Sequence, residues 1–238
     1  MRVLAVQNTP RGGPGRIGDW LAQAGLGLDV VHGYGGEAVP SRLTHAALVV
    51  LGGGYLPDDD SRAPWLAPTR RLVYQALSER IPFLGICLGG QMLAHVAGGR
   101  VAAEHGTPEL GSTPLTLRAE TADDPLFHGL PERVTAIERH KDAITALPAG
   151  SAWLAESDRC PYQAFRVGER AWGVQFHPET TPDRLLDWDA ASLAEQGLDR
   201  EELHRRAAGD APSATPVWRE VTHRFAAVVA RTARMPDH

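Results

Sequence analysis

Lysine is almost missing from this chain. Lys141 is the only one, so nearly all of the 24 basic residues are arginine. That bias reads as genomic base composition rather than as a binding surface. Against 29 acidic residues the formal net charge is −5, which gives no basic surplus for a nucleic-acid backbone. No apolar run approaches the ~18 residues that a membrane helix needs. The chain opens directly on an apolar strand, Arg2–Gln7, with no leader before it, so a cytoplasmic protein is expected. There are only two cysteines, Cys87 and Cys160, and in a reducing compartment they are not expected to pair. The ten histidines show no H-x-x-x-H spacing. The acidic run Pro57-Asp58-Asp59-Asp60-Ser61 lacks the spaced ligands of a calcium loop, and it reads instead as a cap for the helix near Trp65. Gly12-Gly13-Pro14-Gly15 lacks both G-x-G-x-x-G and a Walker lysine, so it reads as a turn. Neither metal nor cofactor is expected.

What is present is enough for one globular domain. The chain has 238 residues, 43% of them hydrophobic, without repeats. Its first half alternates strand and helix: strands at 2–7, 28–32, 46–51 and 81–86, helices at 17–24, 65–80 and 88–96. This order predicts an α/β fold, an open, mostly parallel sheet with helices on both faces, as in flavodoxin-like three-layer sandwiches. Between 100 and 176 the pattern changes to short segments (115–118, 134–138, 152–156, 163–167), which predict a small antiparallel excursion before a strand at 171–176 returns to the sheet. The core is expected over 1–180. The remainder, 181–238, reads as a helical extension with helices at 183–195 and 216–232. Between these, Gly197 to Thr215 is rich in charge, Gly and Pro, and its Glu201-Glu202 and Arg205-Arg206 read as a solvated helix face.

Chemistry enters at Gly85-Ile86-Cys87-Leu88-Gly89-Gly90-Gln91. A cysteine stands between glycines, after an apolar strand and before a helix. This is the pattern of a nucleophile elbow with sulfur in place of hydroxyl. Glycines on either side remove the Cβ atoms that would collide in so tight a turn. A helix N-terminus stabilises negative charge on the sulfur, and the Leu88 N–H is placed to meet an oxyanion. Taken alone, a cysteine at such a turn is more often a small core residue.

A base is needed, and Trp172-Gly173-Val174-Gln175-Phe176-His177-Pro178-Glu179 supplies one. In an extended chain residues i and i+2 share a face, so the His177 ring and the Glu179 carboxylate emerge side by side. Pro178 biases His177 to an extended backbone. A carboxylate on one imidazole nitrogen leaves the other for the thiol.

These two segments, with Leu51-Gly52-Gly53-Gly54 after the strand at 46–50, resemble the class I (triad) glutamine amidotransferases over about residues 1–180. Within that family the chain is similar to stand-alone domains like the glutaminase half of GMP synthase. Glu109-Leu110-Gly111 and Arg139-His140-Lys141-Asp142 lie where that subgroup carries related signatures. The resemblance implies Cys87, His177 and Glu179 as catalytic triad and the Gly53 and Leu88 N–H groups as oxyanion hole. It also implies Gln91, with the backbone at Gly111 and Ser112, as holder of the glutamine α-amino and α-carboxylate groups. Two departures stand out: Gly54 replaces a usual proline, and Gly90 replaces a frequent histidine, which would leave extra room beside the nucleophile. The implied activity is hydrolysis of the glutamine side-chain amide through a γ-glutamyl thioester on Cys87. A chain of this length leaves no room for an ATP-dependent synthase, so the ammonia would go to a separate acceptor enzyme in trans. The alternatives are a γ-glutamyl hydrolase acting on a metabolite or polyamine amide and, in another class, a noncatalytic regulatory module. Glutamine or a γ-glutamyl compound is the expected substrate, and neither nucleic acid nor membrane is an expected partner.

Overall fold

A computed structural model describes residues 1–234. Residues 235–238, the end of the expected C-terminal extension, lie outside the described residues. Strands run β1 (Arg2–Gln7), β2 (Gly27–His32), β3 (Ala47–Val50), β4 (Phe83–Ile86), β5 (Arg100–Ala102), β6 (Glu109–Leu117), β7 (Arg133–His140), β8 (Ala143–Ala146), β9 (Ala152–Glu156), β10 (Ala164–Val167) and β11 (Ala171–Val174). Helices are α1 (Gly15–Gln23), α2 (Leu66–Ser78), α3 (Leu88–Val96), α4 (Ala190–Ala194) and α5 (Arg200–Thr232).

The main sheet has the order β2-β1-β3-β4-β11-β10-β9-β6-β7. From β2 to β11 all pairings are parallel, and from β11 to β7 they are antiparallel. The fold is therefore α/β with a mixed central sheet whose parallel half carries β4 and β11 side by side. The antiparallel excursion is an extension of this same sheet. The short β5–β8 ladder beside it was not legible in the sequence.

Period-two alternation explains why helices cover both faces. Val3 and Ala5 of β1 and Ala47 and Val49 of β3 pack with Ile17, Trp20 and Leu21 of α1 and with Val217, Trp218 and Phe225 of α5. Leu4, Val6, Leu48 and Val50 point the other way, onto Leu72 and Val73 of α2 and Met92 and Leu93 of α3.

Two expectations about the tail are corrected. The helix expected over 183–195 is a 3-10 turn, Pro182–Asp187, followed by short α4. The break falls at Trp188 and Asp189, both extended, because Trp188 is buried beneath α5 and Asp189 caps α4 through the Ser192 N–H at 2.7 Å. The interlude expected over 197–215 is instead the first half of one helix, α5, which contains Pro212 and Pro216. Asp199 caps its start by accepting from Glu202 N–H at 2.7 Å. Burial of Leu203, Ala207, Ala214, Val217 and Trp218 on one stripe outweighs the two lost backbone donors. Glu201, Glu202, Arg205 and Arg206 are exposed, as a solvated face requires. Nor does the acidic loop cap α2, which has no side-chain cap. Arg70 grips it instead, donating to Asp60 at 2.8 and 2.6 Å and to the Pro57 carbonyl at 2.6 Å.

The elbow is packed backbone to backbone. A Cβ on Gly85 would strike the Gly89 carbonyl, and one on Gly89 would strike the Val50 carbonyl. Gly54, by contrast, faces open space. Gly89→Ala is expected to cost about 3 kcal/mol in urea unfolding. Gly54→Ala should stay within about 0.5 kcal/mol. Equal midpoints for the two variants would contradict this packing.

Candidate active site

Four neighbouring strands end at one edge of the sheet and deliver the site from there. Asn8 follows β1, Gly52 follows β3, Cys87 follows β4 and His177 follows β11. The crevice outside the carboxyl ends of parallel strands is where open α/β sheets bind ligands.

Cys87 is the hinge of the turn, at φ 50° and ψ −105°, a region that non-glycine residues rarely occupy. Its N–H donates to the Val174 carbonyl at 2.8 Å, and its carbonyl accepts from Gln91 N–H at 2.9 Å. The strand before it and the helix after it are thus both tied to this one residue. Leu88 opens α3, so its N–H has no partner within the helix. The Gln175 amide donates to Cys87 Sγ at 3.5 Å, while Gln91 Nε2 donates to Gln175 Oε1 and to the Asp142 carbonyl, each at 3.1 Å.

The His177 ring comes from the adjacent strand end. Its backbone N–H donates to the Ile137 carbonyl at 2.8 Å, and its Nδ1 lies 2.8 Å from Glu179 Oε1. Nε2 is buried without a hydrogen-bond partner. A Cβ on Gly52 would sit 2.9 Å from His177 Cε1 and 3.6 Å from Cys87 Cβ, so the imidazole and the Cys87 side chain border one small space that only glycine leaves open. Burial pushes the His177 pKa down, but the neighbouring Glu179 and Cys87 outweigh it and hold the ring well above its ordinary 6.5.

The partners that fix this geometry lie outside the motifs. Arg16 donates to the Pro178 carbonyl at 2.8 Å and to Thr215 Oγ1 at 3.1 Å, and its backbone N–H donates to the Glu179 carbonyl at 3.1 Å. Gly15, at φ 46°, lets the Glu179 backbone approach. The Gly12–Gly15 turn therefore braces the carboxylate segment. Asn8 Nδ2 donates to the Leu51 carbonyl at 2.7 Å, and the Trp65 indole N–H donates to Asn8 Oδ1 at 3.1 Å, which pins the glycine loop. Gly53 is wedged there, where a Cβ would meet Leu88 Cδ2 at 2.8 Å and Asn8 Cβ at 2.9 Å.

The structure thus brings Cys87, Leu88, Gln91, His177, Glu179 and the Gly52–Gly53 loop together. Gly111 and Ser112, whose backbone the resemblance assigns to the substrate, lie on β6. They are paired in the ladder with Glu138 and Ile137, Gly111 at φ 89°. The Ser112 hydroxyl donates to Asp210 of α5 at 2.6 Å, so its side chain serves the sheet–helix contact. The extra room expected at Gly90 is also absent, because a Cβ there would lie 2.7 Å from the Val174 carbonyl oxygen. Gln175, Asn8, Arg16 and Gly52 escaped the sequence reading. Only Gln175, two residues before His177 and hence on its face of the extended chain, left a signal that could have been used.

The sequence profile of the glutamine amidotransferase class-I family matches residues 21–185. The chain belongs to that family. It is 40% identical over 193 residues to a glutamine-hydrolysing GMP synthase of Porphyromonas gingivalis, a match covering 74% of this chain and 36% of the relative. It thus spans about a third of that relative's length. A glutamine-hydrolysing GMP synthase of Streptococcus thermophilus is 43% identical over 102 residues, 42% of this chain and 19% of the relative. Among solved structures, a glutamine amidotransferase from Thermotoga maritima superposes with a TM-score of 0.84 at 26% identity, covering 95% of this chain and 98% of that one. A glutamine amidotransferase from Methylobacillus flagellatus gives a TM-score of 0.81 at 22% identity, covering 100% and 97%, a likeness of fold. Membership in this family makes the chain an enzyme of the glutamine amidotransferase class. Among the described residues no helix is long and apolar enough to cross a membrane.

Because the folded-state His177 pKa lies above the unfolded value, its protonation adds stability that is complete below pH 6.5 and disappears as pH rises through the raised value. Glu179→Gln removes a raising charge, so NMR titration of the labelled ring should give a lower midpoint than in the unaltered chain. An unchanged midpoint would show that Glu179 is not the cause.

Proposed function

We propose that Cys87 is the nucleophile of a glutaminase and that His177 and Glu179 complete its triad. The observation that carries this reading is the shared space in front of Gly52, bordered by the side chain of Cys87 from its positive-φ turn on one side and the Glu179-held imidazole on the other. The Cys87 sulfur attacks the side-chain amide carbon of glutamine. The carbonyl oxygen becomes an oxyanion facing the N–H groups of Leu88 and Gly53, and one such donor is typically worth about 3 kcal/mol. Imidazolium His177, kept charged by Glu179, protonates the departing nitrogen, so ammonia leaves as the C–N bond breaks. The γ-glutamyl group then remains on sulfur as a thioester. His177, now neutral, takes a proton from water, the hydroxide adds to the thioester carbon, and glutamate leaves with the thiolate restored. Gln91 borders the space from α3, where its amide is already oriented by Gln175 and the Asp142 carbonyl.

In this reading the ammonia serves an acceptor enzyme or domain outside these 238 residues. The relatives named GMP synthase suggest a nucleotide-amidating acceptor. A γ-glutamyl amide with a bulky leaving group has no support at Gly90, where the backbone is closed off by Val174.

Purified chain incubated with glutamine should release glutamate and ammonia in equal amounts. Cys87→Ala should release neither while keeping its circular dichroism, and His177→Asn should lose about 10²–10⁴-fold. Turnover surviving in Cys87→Ala would overturn the assignment. Turnover of γ-glutamyl amides but not of glutamine would replace it with the hydrolase reading. A chain without turnover on either, whose thiol no ligand protects from alkylation, would be a regulatory module.

A further inference from the structure

A second set of buried polar groups converges beside the dyad, on β6, β7 and the turn before β10. His140 Nδ1 lies 3.1 Å from the Asp142 carbonyl. A carbonyl only accepts, so Nδ1 carries the proton. His140 Nε2 then points at two carboxylates, Glu109 Oε2 at 3.1 Å and Glu138 Oε2 at 3.4 Å. Cys160 closes the group, since one ligand atom each from Glu109, His140 and Cys160 lies within 4.8 Å of the others. Glu109 is oriented by Ser157 Oγ at 2.7 Å and Gln163 Nε2 at 2.7 Å. Neither carboxylate is paired with lysine or arginine. Glu138 is fully buried, and neither of its oxygens has a hydrogen-bond partner. An unpaired interior carboxylate costs several kcal/mol unless something positive meets it.

We propose that Glu109, His140 and Cys160 bind a zinc ion, with the orphan Glu138 carboxylate as fourth ligand. One imidazole, one thiolate and two carboxylate oxygens form a set that zinc takes in tetrahedral geometry, and the thiolate disfavours magnesium or calcium. The contact from His140 Nδ1–H to a backbone carbonyl is the outer-shell bond by which a ligating imidazole is usually held. Zinc–ligand distances of about 2.0–2.3 Å require Glu109, His140 and Cys160 to draw inward by roughly an ångström, and Glu138, whose Oε2 lies 3.4 Å from His140 Nε2, to swing in toward Cys160. Metal binding forms the Zn–S bond and releases the Cys160 proton to solvent. Filled by four side chains, the site is structural. It ties β6, β7 and the turn before β10 together behind the glutamine site.

The test is metal analysis by plasma mass spectrometry of the full chain purified from zinc-supplemented cells. One zinc per chain is expected in the unaltered protein and in Cys87→Ser, with at least a tenfold loss in Cys160→Ser and His140→Gln. Should those two variants fail to fold, the unaltered chain decides the matter. With Cys87 blocked by iodoacetamide and zinc exchanged for cobalt, it should show a sulfur-to-cobalt charge-transfer band and tetrahedral d–d absorption. A chain that carries no zinc and takes up no cobalt would overturn the proposal. Metal lost in Cys87→Ser but kept in Cys160→Ser would overturn it equally.

Discussion

The turn at Cys87 is made without clearance. The strand before it and the helix after it meet so closely that Gly85 touches the Gly89 backbone, Gly89 touches Val50, and Gly90 touches Val174. These contacts hold a non-glycine residue at φ 50°. A left-handed backbone of this kind costs of order 1–3 kcal/mol, and it persists only because the surrounding packing over-determines it. The same contacts set the distance between β4 and its neighbours β3 and β11, and so fix where the glycine loop and the His177 segment end. The order of strands in the sheet follows from needing those ends adjacent.

Electrostatics then act on that fixed geometry. Glu179 is buried beside the His177 ring, and with Cys87 it raises the ring's pKa although burial opposes this. The Glu179 backbone is held in turn at the start of α1, where its carbonyl accepts from the Arg16 N–H and Gly15 leaves room for it. Arg16 also stacks over Trp20 and reaches α5 through Thr215. The last helix of the chain, remote from the motifs in sequence, is thereby linked to the orientation of the imidazole.

The parallel half of the fold and the Cys87–His177–Glu179 set were legible because each depends on local spacing: a strand-to-helix turn flanked by glycine, and an i, i+2 pair on an extended segment. What was not legible depends on long-range pairing or on tertiary burial. Gln175 reaches the thiol only because β11 lies beside β4. The Ser112 side chain gave no sign of its partner either, since its hydroxyl meets Asp210 only once α5 packs on β6. Two prolines pointed to a helix starting at 216, while the apolar stripe from Leu203 to Trp218 carried it back to Arg200. Glu109, His140 and Cys160 gave no spacing signal because they come from three separate segments that meet only when the antiparallel strands pair.

The central claim is that the sulfur of Cys87 becomes covalently acylated by the side chain of glutamine. The most direct measurement is acid-quenched mass spectrometry of the chain during turnover, followed by peptide mapping. A γ-glutamyl group on the peptide containing Cys87, appearing with glutamine and lost on return to neutral pH in the presence of hydroxylamine, is the predicted result. Glutamate formed at full rate with no adduct on that peptide at any quench time, or with the adduct on another residue, would contradict the account.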